Sequence, residues 1–519
     1  MKRILASVLV SLVALGGVVG GAVADPVRGG RANVVIQPEP PSLMLGLFQN
    51  TPTQMVAGNI YEGLLRYDTK LNAMPSLARS WTVSEDGLTY TFSLQEGVKW
   101  HDGKPFTAAD VVFSADVFLR ERHPRFRAVL AHVEAITAPD DNTVVFKLKS
   151  AFGPFLNAFE VGSMPIVPKH IYEGTDFNAN PANNRPIGTG PFKFAEWVKG
   201  SYIKLVRNDE YWDKGKPYLD EVYWHVIPDA ASRAVAFETG KVDILPGGAI
   251  ENFDVPRVSA LDNTCITEAG WEFFGPQSWV WLNNRRGPTA SKEFRQALMY
   301  AIDRDFIRDA LWNGIGKVST GPFAQSTKYY DGSIAPYSYD PKKARELVAA
   351  SGYKGEVLNF VPMPYGETWQ RVAEVIRQNL ADVGVNVELV ATDVAGWNKR
   401  LSDWDFDLAT TYLYQYGDPA LGVSRTYVSD NIAKGSPWNN VEGYANPEVD
   451  ALFGKGAGTI DQGQRSAAYT EVQKKLVEDV PVAWLLDMSF PTITRCNVKD
   501  LVTTGIGLND GFKNAYIEK

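Results

Sequence analysis

Strand-like and helix-like segments alternate from one end of this chain to the other, and no single hydrophobic core can hold them all. Residues 33–37 (NVVIQ) suit a strand, followed by a Pro-rich loop at 38–42. Leu88, Tyr90, Phe92 and Leu94 alternate with Thr89, Thr91 and Ser93, the two-residue period of a half-buried strand. Asp86-Gly87 supplies the hairpin turn just before it. Residues 192–197 and 202–208 pattern as a second hairpin around Gly200, and 221–227, 279–283 and 406–415 as further strands. Helical patterns cover 55–65, 229–239, 291–312 and 461–478, and another helix carries Trp397. Between strand-like 357–361 and 385–390, Trp369, Val372, Ile376, Leu380 and Val383 form one helical stripe closed by Gly384, a β-α-β unit. This mixture predicts an α/β (mixed α+β) protein, and 519 residues are enough for two or three domains.

The stretch 99–112, KWHDGKPFTAADVV, places a His beside an Asp and raises the question of an acid–base or metal pair. Asp102-Gly103 reads as a turn, and Thr107 with Asp110 three residues later has the spacing of a helix capping box. The other histidines, His123, His132, His170 and His225, form no pair at ligand spacing. His101 is therefore expected to be structural, with no metal and no cofactor implied. No G-x-S-x-G, G-x-x-x-x-G-K-[ST] or H-E-x-x-H motif occurs. The 60 Asp and Glu single out no pair for glycoside hydrolysis, so a secreted hydrolase such as a glycosidase stands only as the alternative of another class.

The N-terminus has the form of a secretory signal peptide. Lys2 and Arg3 precede an apolar and small run from Ile4 to Val23, and Ala22-Val23-Ala24 offers a cleavage site after Ala24. Cys265 and Cys496 are the only cysteines, and an exported protein favours one structural disulfide over two free thiols. A net charge of −8 argues against a nucleic-acid partner. Aromatic residues reach 12%, including 14 Trp, enough to line a ligand cleft as well as a core.

The order of motifs strongly resembles family 5 extracellular solute-binding proteins, the receptors of peptide, nickel and related ABC importers. PSLARSWTVSEDGLTYTFSLQEGVKWHDGKPFTAADVVFS (75–114) is similar to the family's signature region. The likeness continues through GTGPFKFAEWVKGSYIKLVRNDEYW (188–212), AVAFETGKVDIL (234–245), FRQALMYAIDRDFI (294–307), VAEVIRQNLADVGVNVELV (372–390) and GDP (417–419). The resemblance implies a two-lobed, Venus-flytrap fold with an extra subdomain. One lobe would comprise 25–65, 185–275 and 490–519, the inserted subdomain 66–184, and the second lobe 276–489. Cys265 and Cys496 would then lie near the crossings between lobes, which favours their pairing. It implies a periplasmic, monomeric receptor and no enzyme. Such a receptor closes on a small ligand, best matched by a peptide, with a sugar, opine or metal chelate as alternatives. The closed form would dock on a membrane permease driven by an ATPase.

Ligand residues follow from the same resemblance. In peptide-binding members a strand of the second lobe ends W-x-x-D-x-x-[DE]-P, and its first Asp takes the peptide α-ammonium. Here Tyr412 stands in place of the Trp, Gln415 in place of that Asp, and Asp418-Pro419 keep the end of the pattern. A neutral amide at 415 suits a hydroxyl, an amide or a blocked amine, unless Asp418 or Glu39 replaces the missing charge. Tyr412, Tyr414 and Tyr416, alternating with Leu413 and Gln415, are expected to form an aromatic cleft wall. Trp397 is a further ligand-binding candidate, and Arg400 and Arg425 are candidates for holding a carboxylate.

Overall fold

The computed structural model describes residues 26–519 apart from Pro336, so the expected signal peptide lies outside the described residues. Three sheets organise the chain. The first has seven strands in the order Thr264–Thr267, Thr492–Arg495, Ile244–Leu245, Arg31–Ile36, Glu221–Val226, Tyr202–Arg207 and Phe192–Val198. The second has six: Lys317–Val318, Val482–Asp487, Gln277–Leu282, Leu408–Leu413, Leu358–Val361 and Val387–Leu389. The third is a four-stranded antiparallel sheet of Ala78–Val83, Thr89–Leu94, Thr143–Leu148 and Val133–Asp140.

Burial divides the molecule into two large bodies. Val34, Ile36 and Trp224 of the first sheet share one continuous core with Phe92, Phe146 and Phe159 around the third. The second sheet has its own core, in which Trp281, Phe360, Leu408 and Trp484 meet Trp369, Val372, Ile376 and Leu380 of the helix Glu367–Asp382. That helix joins parallel strands, completing the β-α-β unit. The chain passes between the two bodies at residues 268–276 and again at 488–491. Cys265 and Cys496 are joined in a disulfide that ties together the two adjacent strands of the first sheet leading into these crossings, at the end of the strand pair away from them.

The turn-and-cap reading of 99–112 agrees with the structure. Gly103 N–H donates to Trp100 O at 2.8 Å, and the Asp110 carboxylate accepts the Thr107 N–H at 3.0 Å ahead of the helix Ala108–Val112. His101 sits under this turn: Nδ1 accepts the Gly188 N–H at 3.2 Å and Nε2 lies 3.0 Å from Gly190 O. Burial pushes its pKa down to about 4, so the ring is a neutral clamp between two loops.

Two helices differ from expectation. The pattern at 55–65 forms a helix only over Thr51–Ala57, started by the Asn50 side chain accepting the Thr53 N–H at 3.0 Å. At its end Gly58 lies against the chain at 509, where an added Cβ would fall 2.0 Å from Asn509 O, so a residue without a side chain is required there. The long helix at 291–312 ends at Ala301, and the Asp303 carboxylate caps a new start at Arg304. A side-chain cap inside an amphipathic run ends one helix and begins another without disturbing the apolar stripe.

Candidate ligand cleft

The two crossings lie side by side. Trp271 donates its indole N–H to Phe490 O at 2.8 Å, and the two rings stand 5.1 Å apart. Met488 N–H reaches Pro276 O at 2.8 Å. The strand Leu408–Leu413 runs toward this junction, and Gln415 N–H donates to Phe274 O at 2.6 Å as the chain leaves it.

Strand alternation then sorts the side chains. Tyr412, Tyr414 and Tyr416 share one side, with successive ring centroids 5.9 and 6.1 Å apart. Trp369 stacks on Tyr412 at 5.9 Å, and Phe274 meets Tyr414 at 5.4 Å. These rings form one aromatic wall at the junction of the two lobes. Leu413 and Gln415 face the opposite way, into the second lobe.

Gln415 is therefore not the ligand-facing group that the motif suggested. Its Oε1 accepts Ala324 N–H at 2.9 Å and the Thr327 hydroxyl, and its Nε2 donates to Gln277 Oε1 and Pro322 O, both at 3.0 Å. Two acceptors and two donors exhaust a primary amide, leaving nothing for a ligand. Asp418 is corrected in the same way. Both its oxygens lie 2.8 Å from Arg465 Nη2, and Asp418 and Arg465 side chains are 0% and 1% exposed. Glu39 is held on the first lobe, accepting the Trp197 indole N–H at 2.7 Å and the Gly200 N–H. Arg400 forms an exposed pair with Asp405 at 2.8 Å, away from the tyrosines. Trp397 is wholly buried. It backs Trp438, whose ring stands 5.3 Å away, so its part is support.

Of the expected residues, Tyr416 and Arg425 open onto a cavity of about 590 Å³. One side comes from the segment 125–163, with Arg125, His132 and Phe152; Phe273 of the crossing lies between, and second-lobe residues including Ala420, Leu421 and Trp438 complete the wall. Arg125 Cζ lies 4.2 Å from the Tyr416 ring centroid and Arg425 Cζ 5.7 Å from it, so two guanidiniums flank one phenol. Arg125 donates to Gly162 O at 3.1 Å and stands 3.8 Å from the buried Glu160. Arg425 donates to Tyr414 O at 3.1 Å, while its buried Nε has no partner. Burial lowers the Arg425 pKa; the Tyr416 phenol opposes that fall and the Arg125 charge adds to it. His132 stacks on Phe152 at 4.0 Å and is held below the usual imidazole range by burial and by Lys149. No carboxylate is among the lining residues. Among the described residues, no group of three or more His, Cys, Asp or Glu could hold a metal ion.

Arg125, His132, Phe273 and Trp438 were not anticipated. Trp438 alone carried a local signal, a large ring in the polar loop GSPWNN.

Two cored lobes, joined by paired crossings and facing each other across a ligand-sized cavity, define a two-lobed solute receptor. Residues 72–434 match the family described as bacterial extracellular solute-binding proteins, family 5 Middle, and the chain belongs to that family. It is 30% identical over 457 residues to the oligopeptide-binding protein AppA of Bacillus subtilis (strain 168), covering 82% of this chain and 80% of the relative. The nickel-binding periplasmic protein of Escherichia coli (strain K12) is 29% identical over 468 residues, covering 84% and 86%. Among solved structures, the ABC transporter substrate-binding protein CtaP of Listeria monocytogenes superposes with a TM-score of 0.85 at 27% identity, covering 95% of this chain and all of that one. The protein is a substrate-binding receptor of the ABC-importer class. Among the described residues, no helix is long and apolar enough to cross a membrane.

Proposed function

We propose that the receptor captures a peptide or peptide-like molecule in the 590 Å³ cavity and closes the two lobes around it. The observation that carries this reading is the make-up of the cavity. It draws its walls from the inserted segment, a crossing and the second lobe, so a ligand there touches both moving bodies. A ligand with that reach favours the closed state by its differential contacts. The volume lies within the range of small-molecule sites, and the walls are mostly apolar with a few polar groups. The oligopeptide-binding relative supports a peptide.

The same reading has the protein exported with cleavage after Ala24, acting as a monomer that delivers its ligand chemically unchanged. Its lobe boundaries fall at 25–65, 185–275 and 490–519 for the first lobe, 66–184 for the insertion and 276–489 for the second. The inserted segment shares the first lobe's core, so it moves with that lobe.

Mass spectrometry of small molecules released from purified protein tests the reading directly. The released ligand should be absent from Ala420→Trp, in which an indole fills the cavity, while that variant keeps the melting temperature of ligand-free wild type. Ligand retained in Ala420→Trp, or turned over by the pure protein, would overturn the proposal.

A further inference from the structure

We propose that this cavity selects ligands that present a carboxylate to Arg425 and Arg125 and carry no free ammonium group; this rests on the cavity being the ligand site. The two guanidiniums lie on one ring with no acid between them. Glu160 stands 3.8 Å from Arg125 and is itself engaged by Gly162 N–H and the Ser163 hydroxyl. Arg425 faces no acid, and its buried Nε is unused. A buried charged donor without an acceptor is costly, and a planar oxyanion satisfies a guanidinium fork better than any neutral group.

The surrounding charges exclude the opposite kind of ligand. Where an ammonium would need an anion, Asp418 is closed by Arg465 and the Gln415 amide is consumed within the second lobe. The charged side chains on the cavity wall are Arg125 and Arg425, and the Lys149 charge also bears on His132. A cationic group entering there would be desolvated among like charges. Phe152, Phe273, Leu421 and Trp438 offer an apolar surface beside the two arginines. The ligand class is thus a carboxylate with an apolar or aromatic body and a blocked or absent amine, such as an N-acylated amino acid or peptide.

Three matched probes separate the possibilities: N-acetylalanylphenylalanine, its C-terminal amide, and free alanylphenylalanine. Calorimetry on wild type should rank the acetylated acid about tenfold or more tighter than either of the others. Arg425→Gln should reduce the preference for acid over amide to within about twofold, with Arg425→Lys retaining part of it. Arg400→Gln, altered outside the cavity, should keep the full preference. The amide or the free amine binding as tightly as the acetylated acid sinks the inference, as does a co-purifying ligand with no acidic group. Binding that is lost in Ala420→Trp yet indifferent to Arg425→Gln keeps the cavity and removes only the charge selection. Binding that survives Ala420→Trp, or the absence of any bound probe or co-purifying ligand, removes the cavity reading and this inference with it.

Discussion

Arg465 and Arg425 both belong to the second lobe and both lie against tyrosine rings, but they are finished differently. Arg465 stands 4.8 Å from the Tyr329 centroid, donates Nε to Gly456 O at 2.8 Å, and meets both oxygens of Asp418. Arg425 stands 5.7 Å from the Tyr416 centroid, makes one bond to Tyr414 O, and has Arg125 as its charged neighbour. The first is a closed ion pair deep in protein; the second opens onto a cavity. A buried charge satisfied by its own chain is architecture, whereas one left short of partners beside empty volume marks where a ligand's charge belongs.

The hardest way to break this contrast is to remove the closing acid. Asp418→Ala leaves Arg465 buried and unpaired, and should cost about 3–5 kcal/mol in urea unfolding. Arg425→Gln should change stability by less than about 1 kcal/mol, because no charged partner is stranded. Equal losses in the two variants would show that Arg425 is structural too.

A subtler effect concerns Glu442, whose two buried carboxylate oxygens lack partners but face no ligand cavity. Burial pushes its pKa up to about 8, against the pull of the Arg285 charge, so a proton closes what a ligand does not. The folded value lies above the unfolded one, so this group's stabilising contribution is complete below about pH 4.3 and is lost as pH rises through about 8. Glu442→Gln should accordingly leave the melting temperature nearly unchanged at pH 4 and raise it progressively toward pH 9. A gain that shrinks with rising pH would contradict the assignment.

Arg400 provides the smallest expected change. Its partner Asp405 is solvent-exposed and its own side chain is 34% exposed. Arg400→Ala should cost less than about 0.5 kcal/mol and leave ligand affinity untouched. A tenfold loss of affinity would return Arg400 to the site.

Local chemistry was enough for much of this protein. The alternation in 88–94, the Asp102-Gly103 turn with its Thr107 cap and the β-α-β unit around 357–390 are short-range patterns, and each forms as its residues dictate. The order of family motifs conveyed the two-lobed class because it samples nearly the whole chain. Alternation even separated Tyr412, Tyr414 and Tyr416 from Leu413 and Gln415, although the motif's usual use of position 415 pointed the other way.

The tertiary structure decided which polar groups remain available. Gln415 is spent on Ala324, Thr327, Gln277 and Pro322, and Asp418 on Arg465, partners that no local spacing announces. Arg125 and Arg425 meet across one ring although 300 positions separate them. Periodicity reports which way a side chain faces within its own element. Whether that face meets a counter-ion, a core or a cavity depends on elements brought together from elsewhere in the chain, and only folding brings them there.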